Sequence, residues 1–176
     1  IDALKAAKGT VPADLEQRYQ NPARTGFFCI RYVAFPTEEA AVEAVNALRS
    51  GADFATLADK ESGQKTGGVA AGPDGSPCVS LDYFRPPTVP APIATALFAA
   101  APGVVTGPVH VSNENGNAWF VLLHRPWSEI GTDLTKVVGN APVYAEFLAE
   151  VARTKAEVAS RYGVWDPVSA SVVQHS

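Results

Sequence analysis

The chain has 176 residues, 47% of them hydrophobic, which is ample for one buried core with added segments and too few for two large independent domains. A formal net charge of -4, with no long run of Lys or Arg, excludes the electrostatic footprint of a nucleic-acid or anionic-lipid binder, so protein clients or small ligands remain. No stretch approaches the ~18 uninterrupted apolar residues of a membrane span.

The expectation for the start at Ile1 is a mature or trimmed product whose targeting segment is missing. Pro12 marks a helix start, with Leu15 and Tyr19 on one face four residues apart. FFCIRYVAF, residues 27 to 35, is aromatic and β-branched, and its near-continuous apolarity predicts a buried central strand. Thr37 then offers an N-cap, with Glu38 and Glu39 in the first turn where carboxylates favour the positive end of the helix dipole. Val42, Val45 and Leu48, with Ala41 and Ala44 between them, form an apolar stripe that Gly51 is placed to end. Asp53 caps a second short helix bearing Phe54, Leu57 and Ala58.

Residues 62 to 92 are rich in Gly and Pro and predict a long loop. Pro92 opens a third helix with Ile93, Ala96, Leu97 and Ala100 at helical spacing, stopped by Pro102 and Gly103. Residues 107 to 111 and 117 to 125 flank SNENG, whose Asn115-Gly116 pair signals a hairpin. A further helix is expected from Pro142 to about Arg161, followed by an extended tail. The order strand, helix, helix, loop, helix, strand, strand predicts an α+β fold, a small antiparallel sheet with helices around it.

The two cysteines, Cys29 and Cys78, lack zinc or thioredoxin-like spacing. In an oxidising compartment they pair, and loop entropy credits such a bond with about 4 kcal/mol less any strain. Otherwise they are two separate buried thiols packing like small hydrophobes. Sequence leaves both readings open.

An ordered series of features covering residues 27 to 126 resembles the parvulin family of peptidyl-prolyl isomerases. TEEAAVEAVNALRSGADFATLADKES is similar to that family's helix, Gly-x-Asp-Phe, Ala and Ser series, Gly67-Gly68 to its Gly-Gly turn, and ALFAAAPGVVTGPVHVSNENGNAWFVLL to its last helix, Gly-Pro-Val strand and closing hairpin. The flanks resemble those of SurA-like and PrsA-like foldases. This division implies a helical linker at residues 1–26, a parvulin-like domain at 27–126, and a C-terminal helix and tail at 127–176. It also implies an extracytoplasmic location, polypeptide clients that are unfolded or contain proline, and no cofactor. Any membrane contact would come through an anchor outside this chain.

In active parvulins two histidines face each other across the floor of the site. Here the resemblance puts Tyr32 and Trp119 at those positions, with Gln64 as the nearest stand-in for the family's Cys or Asp. Tyr32 still donates and accepts a hydrogen bond, whereas Trp119 only donates; the plainer reading is that both aromatics fill the sheet core. A slip of one residue is open in the all-apolar last strand. Val89, Ile93 and Phe98 fall where the family lines its proline pocket, Phe98 being the one that reads better as core. His110, His124 and His175 form no metal-like set and read as surface or strand-end residues.

Rotation about a prolyl bond faces a barrier of roughly 18 to 20 kcal/mol, which an apolar, desolvating site lowers without breaking a bond. Serine-hydrolase and P-loop readings fail for want of their motifs. The contest is among a degenerate parvulin domain that binds clients with weak or no isomerase activity, an active isomerase, and a structural envelope lipoprotein domain.

Overall fold

The computed structural model describes residues 11–72, 75–84, 88–113, 116–140, 164–166 and 171–173. Pro12 opens a turn, its carbonyl accepting from the Leu15 N–H at 3.2 Å, and the first helix follows as α1, Leu15–Tyr19, with both named residues buried. The run expected as one strand divides at Cys29. Phe27–Phe28 (β1) pairs with Val79–Ser80 (β3), while Ile30–Phe35 (β2) joins a three-stranded sheet.

That sheet has the order β2, β5, β4, with β4 at Val105–Asn113 and β5 at Gly116–His124. The expected buried central strand is therefore corrected: β5 is central, β2 is an edge strand, and Tyr32 and Ala34 are exposed on it. Continuous apolarity suggested cover on both faces, but small Ala and amphipathic Tyr tolerate water. The outer side of β2 is met by the segment after Gly67. The Tyr32 N–H donates to the Gly68 carbonyl at 2.8 Å, and the Ala70 N–H donates to the Ile30 carbonyl at 3.0 Å.

Helix α2, Glu38–Arg49, starts as its cap residue dictates, with Thr37 accepting from the Ala40 N–H. Its buried stripe is Ala41, Ala44, Val45 and Leu48, a clean i, i+3, i+4, i+7 set. Val42 lies outside that stripe and is exposed, a second correction. Helix α3, Phe54–Ser62, is capped by Asp53, whose carboxyl is held below its ordinary pKa by side-chain and backbone hydrogen bonds from Thr56. Helix α4, Ala91–Ala99, carries Pro92 in its first turn and buries Ile93, Ala94 and Leu97.

Period-two alternation sends the sheet residues to two cores. Val33, Phe35 and Val121 meet α2 and α3 on one face. Ile30, Leu122 and Val111 meet α4 on the other, together with Phe28 and Val79. A third core joins the flanks: Leu15 and Tyr19 of α1 meet Ile130, Leu134 and Val138 of α5, Trp127–Asn140, around Phe27 and both cysteines.

The sequence reading did not anticipate α5, although Trp127, Ile130, Leu134 and Val138 carry its stripe; Gly131 and Thr132 weaken its propensity, and packing supplies the rest. The helix expected at residues 142 to 161 lies outside the described residues. In the tail, Val164–Asp166 (β6) and Ser171–Val173 (β7) pair antiparallel.

Candidate functional site

The face of the sheet under α4 is only partly filled. A cavity of about 310 Å³ opens there, between β2 and β5 below, α4 and its entry on one side, and residues 69–71 on the other. Ile30, Phe120 and Leu122 supply sheet residues, and Ile93 and Leu97 supply the helix side. Val89 and Pro90 extend that wall before α4 begins.

Tyr32 and Tyr83 line the opening with 45% and 40% of their surfaces exposed. Among the described lining residues, the side-chain polar groups are the hydroxyls of Tyr32, Tyr83 and Thr88, and there is no Asp, Glu, Lys, Arg or His. Such a lining can bury an apolar side chain or proline ring and orient an adjacent amide with a hydroxyl. The described lining residues bring no imidazole or carboxylate for proton transfer.

The backbone behind Tyr32 is closely fitted. Gly68 has φ +70°, and a Cβ there would lie 2.6 Å from the Tyr32 carbonyl oxygen and 2.9 Å from the Ala58 Cβ. Only glycine lets the turn approach β2 this closely, which delivers Val69, Ala70 and Ala71 to the cavity.

Three of the residues singled out from the sequence, Tyr32, Val89 and Ile93, come together around this cavity. Trp119 does not join them. It pairs with Phe35 in the β2–β5 register, stacks on His110 at 4.8 Å, and packs with the α2–α3 core on the opposite face. Phe120, one residue on, takes the groove position, because an all-apolar strand contains no polar residue to set its phase.

Phe98 also leaves the groove: it sits one residue past Leu97 on α4 and packs on Phe28, with ring centroids 5.1 Å apart. Gln64 is exposed beyond the left-handed Gly63 that ends α3, and it does not line the cavity. Ile30, Tyr83, Leu97 and Leu122 were not singled out. Ile30 was within reach, being two residues from Tyr32 and so on its face.

Cys29 and Cys78 form a disulfide with their Cα atoms 4.1 Å apart, both buried where the flank core meets the groove core. His124 is not a surface residue. It is fully buried at the end of β5, and its Nε2 lies 2.8 Å from the Leu97 carbonyl. Its Nδ1 has no hydrogen-bond partner, and the Phe28 ring lies 5.2 Å away. Burial pulls its pKa down to about 4, against the smaller opposing effect of the Leu97 carbonyl. The neutral imidazole is thus a strut between β5 and α4. His110 is exposed, with Nε2 3.1 Å from Asn117 Oδ1.

Fold and site together define an α+β domain with an open groove between an edge of its sheet and a helix, uncharged in its described lining. Solved structures similar to it include PrsA from Bacillus subtilis, with a TM-score of 0.43 and 15% identity over 85% of this chain. The foldase protein PrsA from Streptococcus pneumoniae has a TM-score of 0.39 and 17% identity over 69% of this chain. The peptidylprolyl isomerase PrsA from Bacillus anthracis has a TM-score of 0.39 and 19% identity over 78%. The chain spans 52%, 46% and 60% of those three chains respectively. No family model and no curated protein matches the chain.

Proposed function

We propose that this protein is an extracytoplasmic folding factor whose parvulin-like domain holds unfolded or proline-containing segments in the α4 groove, with weak or no isomerase activity. The observation that carries this reading is the lining itself, an open apolar groove whose described side chains offer only hydroxyl groups. Affinity comes from burying client side chains, at about 25 cal/mol per Å² of apolar surface before the costs of association. Isomerisation would have to rely on desolvation and on hydroxyl groups such as that of Tyr32. The ordered sequence resemblance across residues 27 to 126 supports the parvulin part of the reading.

The Cys29–Cys78 disulfide supports the location, since such bonds persist in oxidising compartments. Among the described residues no helix is long and apolar enough to cross a membrane. The open groove favours client binding over a purely structural domain, for which a covered groove is expected.

The test is a protease-free isomerisation assay on proline-containing peptides, run beside an aggregation-suppression assay with an unfolded client. Client protection that is lost in Ile93→Asp, with turnover near the uncatalysed rate, is the expected result. Turnover well above that rate makes the protein an active isomerase, and absence of both activities favours the structural reading.

A further inference from the structure

Arg31 and Tyr32 are neighbours on β2, and strand alternation sends their side chains to opposite faces. Tyr32 lines the groove. The Arg31 guanidinium instead reaches the turn that forms the groove's outer wall, its Nη1 donating to the Gly67 carbonyl at 2.6 Å. The same peptide turn is held from its other side, where the Gly67 N–H donates to Asp59 Oδ1 at 2.5 Å. Two residues further on, Val69 to Ala71 line the groove.

The other end of the Arg31 guanidinium is claimed by a residue 98 positions away. Its Nη2 forms an ion pair with Glu129 Oε1, on the first turn of α5. That oxygen also accepts from Arg125 Nε at 2.9 Å, and Arg125 directly follows β5, the strand that carries the groove residues Phe120 and Leu122. The Arg31 and Arg125 side chains are only 16% and 9% exposed, so both cations are largely withdrawn from water, and they share this carboxylate. The flanking helix thus supplies the anion that orients a cation gripping the groove wall.

We infer that Glu129 is a positioning residue for the groove: through Arg31 it fixes the Gly67-Gly68 turn, and so the docking of α5 sets the wall against which a client packs. This rests on the groove being the client site. The consequence is unusual for a groove whose described lining carries no charged side chain. Binding of an uncharged apolar client becomes weaker as salt screens a partly exposed ion pair that the client never touches, whereas apolar burial alone is not weakened by salt.

The test uses the full chain in two measurements. Hydrogen exchange reads the amides of Tyr32 and Ala70, which bridge β2 to the turn. In Glu129→Gln these two exchange several-fold faster while the β4–β5 hairpin and the α1–α5 core stay as in the wild type. Binding is then measured with a terminally blocked, uncharged, proline-containing apolar peptide bearing a dansyl group. Glu129→Gln weakens it up to about 5-fold at low salt and removes the salt dependence. Arg31→Gln, which also loses the Gly67 bond, weakens it about 10-fold.

Wild-type exchange at Tyr32 and Ala70 in Glu129→Gln, with unchanged affinity at low and high salt, overturns the inference. So does faster exchange spread through the α1–α5 core, which makes Glu129 a residue of general stability. If Tyr32→Ala and Ile93→Asp bind the peptide like the wild type, the groove reading fails, and exchange at the two amides still decides whether Glu129 positions the turn.

Discussion

The groove under α4 and the flank core between α1 and α5 are both assembled from apolar side chains brought to β-structure by a helix, yet they end in opposite states. In the flank core, Tyr19, Ile130 and Leu134 are fully buried, and the Tyr19 hydroxyl donates to the Arg125 carbonyl at 2.7 Å. Burial raises the pKa of that phenol, so it stays a neutral donor. In the groove, Tyr32 and Tyr83 remain at the surface. The same residue type closes one region and borders an opening in the other. Apolar surface that has found its partner stabilises the fold, and apolar surface left unmatched is available for another chain.

The sharpest way to break this contrast is to remove packing from the closed region. Leu134→Ala is expected to destabilise the protein by about 2–5 kcal/mol, read from denaturant unfolding, because a fully buried leucine leaves a cavity. A loss below about 1 kcal/mol would mean that the flanks are not part of the fold's stable core.

His124 tests the seam between groove and sheet. Its folded-state pKa of about 4 lies below the ordinary 6.5, so the unfolded chain takes up the proton first. The stability it contributes is complete above about pH 6.5 and is lost as pH falls towards 4, by up to about 3 kcal/mol. Thermal unfolding across this range should show the step in the wild type and lack it in His124→Gln. Parallel curves for the two proteins would place the proton elsewhere.

A smaller effect is expected at Thr37, where Thr37→Ala removes the oxygen that accepts from Ala40 N–H and costs about 1 kcal/mol, measured by chemical denaturation. The groove comes last on this scale. Tyr32→Ala should change unfolding stability by no more than about 0.5 kcal/mol while client protection falls, since the side chain stands largely in water. Destabilisation comparable to that of Leu134→Ala would turn the groove into core and erase the distinction.

Much of the local structure was legible in the sequence. Thr37 and Asp53 announced their helices because an N-cap needs only a side-chain oxygen within three residues of the first free N–H groups. The β4–β5 hairpin was legible from Asn115-Gly116 between two strand-like runs. Of the site, Tyr32, Val89 and Ile93 were named, while Trp119 was named in place of Phe120. The β5 run from Ala118 to Leu123 is apolar at every position, so its phase had no signature.

By itself, the sequence determined the α+β order, the helix caps and the hairpin, because each depends on residues a few positions apart. Tertiary structure decided which face of β5 meets the groove, whether Cys29 meets Cys78, and that Glu129 reaches Arg31 across a separation of 98 residues. Those outcomes depend on how three apolar cores pack at once, and a local pattern of side chains does not encode the distance between segments that meet only after the chain has folded.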